Sequence, residues 1–562
     1  MTAGAVPFGD RSVLVTVPDV AAAHRLAARI AGPRAPGTIP GGLEEVVVGH
    51  ASVLVVLTAD PDVADLDAWT GWLADSDGAS GDGDPGPVPS TVHRLPVVFD
   101  GEDLDEVAAA VGSGRDDVVD LLVGADLTVA FVGFAPGFPY LTGLAGALAA
   151  LPRRPTPRTR VPAGSVAVAG GFAAVYPRAT PGGWNLLGRT PAQLFDADVP
   201  PYSRVAPGDR VRFVVADPGA APHAPHPPHA PPAEGSRPLL TAGGDALEVL
   251  DPGIATTVQD LGRTGVSGLG VPTAGAADRR AHTLANLLVG NDPGAASVEC
   301  TAVGPVVRMV GAGHVAVVGC GPDSVEVTLD GRPVPDGVVL PVADGQVVRI
   351  GRITRGLRAY LAVAGGFDTP VVLGSRSSDV LAGLGHGPLH AGDRLARDAP
   401  ARVRGRLTLP PVPSGPVVLR VVAGPHAGPG DDGEDHLRRL IAHRWRVGSA
   451  VDRVGVRLLA VGSPAPLPPV APAGSVPMVT GAVQLPPDGD PIVLLPDHAT
   501  VGGYPVVACV VSADLPRLGQ LAPDARVAFT LVDTAEAVAA LAASRDEPAS
   551  LVSGWFPTGA GT

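Results

Sequence analysis

The sequence predicts an α+β, mostly β protein: a small N-terminal α+β subdomain followed by several β barrels in two fused halves. Three observations carry this. Gly (74) and Pro (62) make up close to a quarter of the 562 residues, yet they fall between short Val/Leu/Ile runs, the pattern of many strands joined by tight turns. Helical periodicity is confined to a few segments. The length exceeds what one hydrophobic core supports, so several domains are required.

Taken in order, residues 11–17 read as a strand and 19–31 as an amphipathic helix with Val20, Leu26 and Ile30 on one side. Val46–Val48 and Val53–Leu57 follow as strands, then a second helix over 61–74 opened by Asp60 and Pro61. These form an α+β subdomain over 1–85, and the Gly/Asp/Ser/Pro-rich stretch 75–90 reads as an acidic linker. Strands at Arg94–Phe99, Thr128–Val132, Ser165–Ala169, Ala173–Tyr176 and Arg210–Val215, with one helix over 103–123, predict a barrel over 91–217. Residues 218–244 are a Pro- and His-rich linker. There, His223, His226 and His229 would share one face of a polyproline helix, as a metal site or, as composition favours, a solvated spacer. A second barrel is expected over 245–400 with a helix at 277–289, and a third over 416–540 with helices at 431–444 and 534–544. The tail after Glu547 reads as loose.

An internal echo links the first and last barrels. Gly164-Ser165-Val166 recurs as Gly474-Ser475-Val476, and Ala179-Thr180-Pro181-Gly182-Gly183-Trp184 as Ala499-Thr500-Val501-Gly502-Gly503-Tyr504.

Composition excludes several functions. A net charge of -15 without a basic stripe argues against nucleic acid. No run of 18 apolar residues predicts a membrane span, and Met1–Asp10 lacks the basic start of a signal peptide. Three scattered cysteines fit reduced thiols, so a cytoplasmic location is expected. All 41 basic residues are arginine, which excludes a Schiff-base lysine, a Walker A lysine and a biotin-carrying lysine. Gly311-Ala312-Gly313 and Gly319-Cys320-Gly321 are followed by strand-like runs, not helices, so they read as hairpin turns and not as a dinucleotide fingerprint.

Candidate binding residues fall in separate strings. Phe134, Pro136, Gly137 and Phe138 sit in a ten-residue stretch with four aromatics, a rigid apolar wall or a structural turn. Arg158 and Arg160 alternate on a strand, as an anion clamp or an ion-pairing edge. Gly182, Gly183 and Trp184, with Arg189 beyond, offer a backbone nest. Gln259, Asp260 and Arg263 pack an amide, an acid and a guanidinium together, and Asp278 opens the 277–289 helix, with Asn286 two turns on. Asn291 and Glu299 follow. Ser375, Arg376 and Ser377 suit phosphate or a capped turn. Arg453 lies in another charged strand, and the isolated His93, His314 and His498 read as structural.

Together these strings resemble a known family. Phe-Val-Gly-Phe-Ala-Pro-Gly-Phe-Pro-Tyr-Leu, Arg-Val-Pro-Ala-Gly-Ser-Val and Pro-Gly-Gly-Trp-Asn-Leu-Leu-Gly-Arg-Thr-Pro look like the B subunit of 5-oxoprolinase. Thr-Val-Gln-Asp-Leu-Gly-Arg, Ala-Asn-Leu-Leu-Val-Gly-Asn, Leu-Gly-Ser-Arg-Ser and Gly-Gly-Tyr-Pro look like its C subunit. The same pair forms the carboxyltransferase region of urea carboxylase. The resemblance implies cyclophilin-like barrels, one in the first half and two in the second. It implies ATP-dependent opening of 5-oxoproline to L-glutamate with a separate A subunit, with ATP and Mg²⁺ as cofactors and a small lactam or amide as substrate. By residue type, Arg158, Arg160 and Arg376 would hold phosphate or carboxylate, and Asp260 or Asp278 would place Mg²⁺, with no ligand set assigned. The remaining motif residues, Gly502, Gly503 and Tyr504 among them, would bind substrate or ATP. Alternatives within the same resemblance are a carboxyltransferase using biotin in trans and a kinase-inhibitor-like regulatory binder; homo-oligomerisation stays open. The chain departs from the family pattern at Leu121-Leu122, where a His is usual, at Gly383–Gly387, where Gly-Gly-x-x-Gly-Arg is usual, and at Val454, where Asp-Arg-Met-Gly-x-Arg-Leu is usual over Asp452–Leu458.

Overall fold

The computed structural model describes residues 4–32, 39–58, 61–75, 90–217, 244–397, 403–407, 409–410, 415–427, 436–462, 467 and 474–555. Asp60 and the linker histidines His223, His226 and His229 lie outside them.

The N-terminal unit is an antiparallel sheet of β1 (Gly4–Pro7), β2 (Ser12–Thr16), β3 (Leu43–Gly49) and β4 (Ser52–Leu57), ordered β1-β2-β4-β3, with α1 (Val20–Ala31) and α2 (Val63–Asp75). Asp19 caps α1 by accepting from the Ala22 N–H at 2.7 Å. Both faces of the sheet are covered, so its central strands read as continuous apolar runs. Val13, Val15, Val53 and Val55 meet Leu26, Ile30 and Trp69 of the helices. Leu14, Leu54 and Val47 pack on Val476, Met478 and Val506 of the last barrel.

The first barrel has nine strands: β5 (Val92–Val97), β6 (Leu127–Val132), β7 (Pro139–Thr142), β8 (Arg158–Val161), β9 (Ser165–Ala169), β10 (Phe172–Val175), β11 (Thr180–Gly182), β12 (Asn185–Arg189) and β13 (Arg210–Val215). The main sheet runs β12-β9-β10-β7-β6-β13-β5, and a Val98–Arg189 bridge joins its edges. The single helix expected over 103–123 is two, α3 (Leu104–Val111) and α4 (Arg115–Val123). Gly112 adopts φ 69°, a left-handed turn that ends α3. Leu122 fills the barrel core with no exposed surface. A short helix, α5 (Gly146–Ala149), follows β7.

The middle block contains β14 (Ala246–Asp251), β15 (Ala255–Gln259), α6 (Arg279–Leu288), β16 (Ser297–Thr301), β17 (Val306–Val310), β18 (Gly313–Val318), β19 (Val325–Leu329), β20 (Arg332–Val334), β21 (Val339–Val342), β22 (Val347–Ile353), β23 (Arg358–Val363) and β24 (Arg394–Ala396). They form a six-stranded and a five-stranded sheet packed face to face. The two glycine turns expected as hairpins instead carry the chain between these sheets, because β18 lies in one while β17 and β19 lie in the other.

After β25 (Arg404–Leu407), the last barrel comprises β26 (Val417–Ala423), α7 (His436–Ala442), β27 (Trp445–Val451), β28 (Gly455–Ala460), β29 (Val476–Pro477), β30 (Ala482–Gln484), β31 (Ile492–Leu494), β32 (Val501–Gly502), β33 (Val506–Val510), α8 (Leu515–Gly519) and β34 (Arg526–Leu531). Its sheet closes in the order β26-β33-β30-β31-β28-β27-β34. This is the first barrel's order strand for strand. In both, the first and ninth strands pair in parallel, and the fourth and seventh form a separate two-stranded ribbon. The Ala-Thr-x-Gly-Gly part of the sequence echo falls on the seventh strand of both barrels and marks this repeat, whereas Gly164-Ser165-Val166 opens the fifth strand and Gly474-Ser475-Val476 the fourth, so that part of the echo is out of register. The tail expected to be loose instead continues α9 (Thr534–Leu551) and adds β35 (Val552–Trp555), which pairs with β25. An Arg280–Glu547 ion pair at 2.8 Å pins that helix.

Candidate active site

Loops from all three β blocks converge on one cleft of about 170 Å³, lined by Phe134, Ala135 and Pro136 of the β6–β7 loop, Thr180 and Pro181 of β11, Pro272, Leu381 and Ala382 of the middle block, and Asp497 and Ala499 of the last barrel. A cavity of ~150 Å³ takes a benzene-sized ring. The blocks touch closely here. The Gly137 N–H donates to the Leu269 carbonyl, and the Ala274 N–H to the Pro496 carbonyl. Gly270 has φ +76°, and a Cβ there would sit 2.4 Å from the Ala135 oxygen, so only glycine lets these loops meet.

Arg453 organises the charged side. Its Nε and Nη2 grip both oxygens of Asp497 at 2.8 Å, Nη1 reaches Glu299 at 2.6 Å, and Nη2 also reaches the Gly275 carbonyl at 2.6 Å. Burial alone would raise the Glu299 pKa, but Arg453 and Arg358 bring it below the ordinary value. The Tyr360 hydroxyl donates to Glu299 at 2.7 Å and accepts from the Asp278 N–H at 2.7 Å. This is a buried ionic network with its hydrogen bonds made, the arrangement in which buried charges are tolerated.

The loop 372–385 forms the opposite rim. Asp379 is buried; its Oδ1 accepts from the Ala382 N–H at 2.7 Å, while Oδ2 has no partner. Burial, reinforced by the negative Asp497, pushes Asp379 up to about 7. Across from it stands Arg178 of the first barrel. A Cβ on Gly383 would meet the Arg178 Nη2 and Nη1 at 2.8 and 2.9 Å, so the guanidinium lies on that loop. Its Nη1 is buried without a hydrogen-bond partner, as is the Thr180 hydroxyl.

The residues predicted from sequence divide into several environments. Phe134 and Pro136 line the cleft, and Gly137 ties its rim. Phe138 and Trp184 lie behind it in an aromatic cluster with Tyr140 and Tyr176. Arg453 is the hub described above. Asp260 forms a brace and holds no open coordination position: it accepts from the Ser375 hydroxyl and the Arg376 N–H, each at 2.6 Å, from the Gly262 N–H and from the Ser377 hydroxyl. Arg263 donates to the Val372 and Ser377 carbonyls, and Gln259 to the Ser378 carbonyl, so this set shapes the 372–385 loop. Asp278 is the α6 cap, its second oxygen taken by Gln520 at 2.7 Å. The Arg376 side chain turns to Asp368 and the Thr369 carbonyl.

Others stand apart from the cleft. Arg158 pairs with Asp103 and Glu102 beside α3, Arg160 is exposed, and Arg189 pairs with Asp100. Gly182 and Gly183 have no positive φ, so no nest forms; Gly182 instead makes room for the Tyr176 hydroxyl. Gly502 abuts Met478 and Gln484, Gly503 lies near the Gly474 carbonyl, and Tyr504 is exposed. His282, buried and bonded to Ser297, is pushed down to about 4 and stays neutral.

Sequence reasoning assigned no role to Asp497, Asp379, Arg178 or Thr180. The echo held the signal, since Arg178 and His498 occupy the same position just before Ala-Thr in the two repeats.

A carboxyltransferase-domain model of subdomains C and D matches residues 4–205, and one of subdomains A and B matches 269–531. The chain belongs to the carboxyltransferase-domain family. It is 34% identical over 302 residues to the C subunit of 5-oxoprolinase from Escherichia coli (strain K12), covering 52% of this chain and 94% of that protein. It is 44% identical over 126 residues to the B subunit of 5-oxoprolinase from Bacillus subtilis (strain 168), covering 22% of this chain and 52% of that protein. The chain thus spans about half the length of the Bacillus relative. The crystal structure of TTHA0988 superimposes with a TM-score of 0.77 at 34% identity, covering 92% of this chain and 99% of that one. One polypeptide of the family therefore carries both a B-like and a C-like half. Among its described residues, no helix is long and apolar enough to cross a membrane.

Proposed function

We propose that the chain is the B/C component of a 5-oxoprolinase, acting on a small cyclic amide in the inter-barrel cleft together with a separate A subunit. The observation that carries this is the apolar, ring-sized cleft, lined on one side by Leu381 and Ala382 of the loop that also holds Asp379, a buried acid pushed up to about 7. Opening a lactam needs a proton delivered to the departing nitrogen, and a group titrating near the working pH does this best. Phe134, Pro136, Pro181 and Pro272 orient the ring and exclude water, while Arg453 holds Asp497 in place at the cleft edge. Likeness to the proteins named as the B and C components of 5-oxoprolinase supports the substrate class.

ATP does not fit this cleft: about 170 Å³ is below the ~300–1,000 Å³ of sites for larger ligands. Among the described residues, no group of three or more His, Cys, Asp or Glu side chains is placed to hold a metal ion. No step is therefore routed through ATP or Mg²⁺ at this site. The deciding assay is ATP-dependent glutamate release from 5-oxoproline, with and without a co-expressed A subunit. Release requiring both proteins supports the reading; no release from folded chain and active partner rejects it. The carboxyltransferase family description favours one alternative, carboxyl transfer to a urea-like amide from biotin supplied in trans. Transfer of label from carboxybiotin would select it.

A further inference from the structure

The cleft wall holds a strained residue that the barrel topology does not require. Phe134 has φ +66°, a backbone conformation that bulky side chains avoid. The Ala135 N–H donates to the Gly133 carbonyl at 2.7 Å and closes a three-residue turn on Phe134. With positive φ at its centre, such a turn is of the rare, strained kind. No other residue lining the cleft has positive φ. Nor does the matching loop of the last barrel, Asp452, Arg453 and Val454, so the repeated topology closes without it. Here neighbours from all three blocks impose it. A Cβ on Gly133 would lie 2.5 Å from Val501 of the last barrel, and one on Gly137 would lie 2.6 Å from Phe195 of the first. From the middle block, Gly270 abuts the Ala135 oxygen and the Leu269 carbonyl takes the Gly137 N–H at 2.8 Å. Strain enforced from several sides gathers at functional sites. Its effect on the side chain is plain. Phe131 and Phe138 of the same string are fully buried in the barrel, whereas Phe134 is half-buried and is the one aromatic residue lining the cleft. Its ring rests on Phe138, with centroids 5.3 Å apart and planes at 74°.

We propose that Phe134 is the specificity-determining residue of the cleft: its ring stacks on the flat, conjugated amide of the ligand and disfavours a saturated ring of the same size. This rests on the reading above that a small cyclic amide occupies the cleft, and it adds what selects one. An aromatic ring attracts a second flat π-system in an offset stack, beyond what buried area alone provides. The side chains of Pro136, Pro181, Pro272 and Leu381 offer only saturated carbon and cannot make that distinction. The strained turn fixes the ring before the ligand arrives, so little ordering is lost on binding. Val501 and Gly270 belong to the second half of the chain, so joining the two halves is what sets the ring.

The test is a ligand-observed NMR titration of the full chain with 2-pyrrolidinone and with cyclopentanol, a five-membered ring of similar size without the amide plane. A stack on Phe134 shifts the methylene signals of bound 2-pyrrolidinone upfield through the ring current. Phe134→Leu keeps the apolar bulk. It should weaken 2-pyrrolidinone binding roughly 2- to 10-fold, the worth of a stacked pair, and leave cyclopentanol unchanged. Phe134→Tyr should bind as wild type does. Equal loss for both ligands, or loss for neither, overturns the assignment and leaves the amide reading standing. Should Phe134→Leu fail to fold, the wild-type spectrum decides, and bound 2-pyrrolidinone without an upfield shift overturns the stack. If 2-pyrrolidinone does not bind the folded wild type at all, the amide reading falls and takes this assignment with it. The strain has its own check: Phe134→Gly should melt about 2–4 °C above Phe134→Ala, because glycine takes this φ freely. Equal melting would remove the strained turn on which the assignment stands.

Discussion

The first and last barrels share nine strands in one order, yet matching loops contribute opposite chemistry to the cleft. In the first barrel the loop after the second strand is Phe134, Ala135 and Pro136; in the last it carries Arg453. After the sixth strand, the first barrel presents Arg178, whose Nη1 has no partner, whereas the last presents Asp497 gripped by Arg453; the Thr180 and Thr500 hydroxyls that follow are unpartnered in both. One barrel supplies the apolar wall; the other supplies a closed ionic network. A repeated scaffold keeps its strands and diverges in its loops, where function is placed without disturbing the core.

Arg453→Met tests the closed side most severely. It strands Glu299 and Asp497 without their cation, so stability should fall by about 3–5 kcal/mol, read by chemical denaturation. A loss under about 1 kcal/mol would show that the network is not structural. Asp379 tests the opposite rim through pH. Its pKa in the fold, about 7, lies above the ordinary 3.8, so the fold holds a proton that the unfolded chain has released. Stability should therefore decline as pH rises from about 4 to about 7 and level off above. Asp379→Asn should remove its share of that slope, at most about 4 kcal/mol. Phe138→Ala opens the aromatic cluster of the first barrel and should cost about 3 kcal/mol, seen as a lower melting temperature. The smallest effect belongs to Arg158→Ala: Asp103 keeps Arg154 at 2.7 Å, so a loss near ~1 kcal/mol with unchanged lactam binding is expected. Weakened binding would return Arg158 to the site.

Much of the fold was readable because it depends on local pattern. The alternation of Val/Leu runs with Gly/Pro turns located Ser165–Ala169 and Arg210–Val215 as strands. The Ala-Thr-x-Gly-Gly echo located the repeated ribbon. What local pattern did not reveal was pairing over long separations. Asp260 looks like a metal or catalytic carboxylate until Ser375 and Ser377 arrive 115 and 117 residues later to occupy it. Arg453 was recognisable as a charged motif, but its partner Glu299 is 154 residues away. Asp379 owes its proton to burial and to Asp497, neither of which is written around it in the chain.

The two-faced N-terminal sheet has a consequence for how the protein is made. Asp10 accepts from the Ser512 N–H and hydroxyl, 502 residues downstream, where the sheet meets the last barrel. At ~5–20 residues per second of synthesis, that partner emerges roughly 25–100 seconds after Asp10 does. Until then Leu14, Val47 and Leu54 have no barrel to cover them. The nascent chain therefore carries an exposed apolar sheet face through most of its translation, a surface for a chaperone to hold.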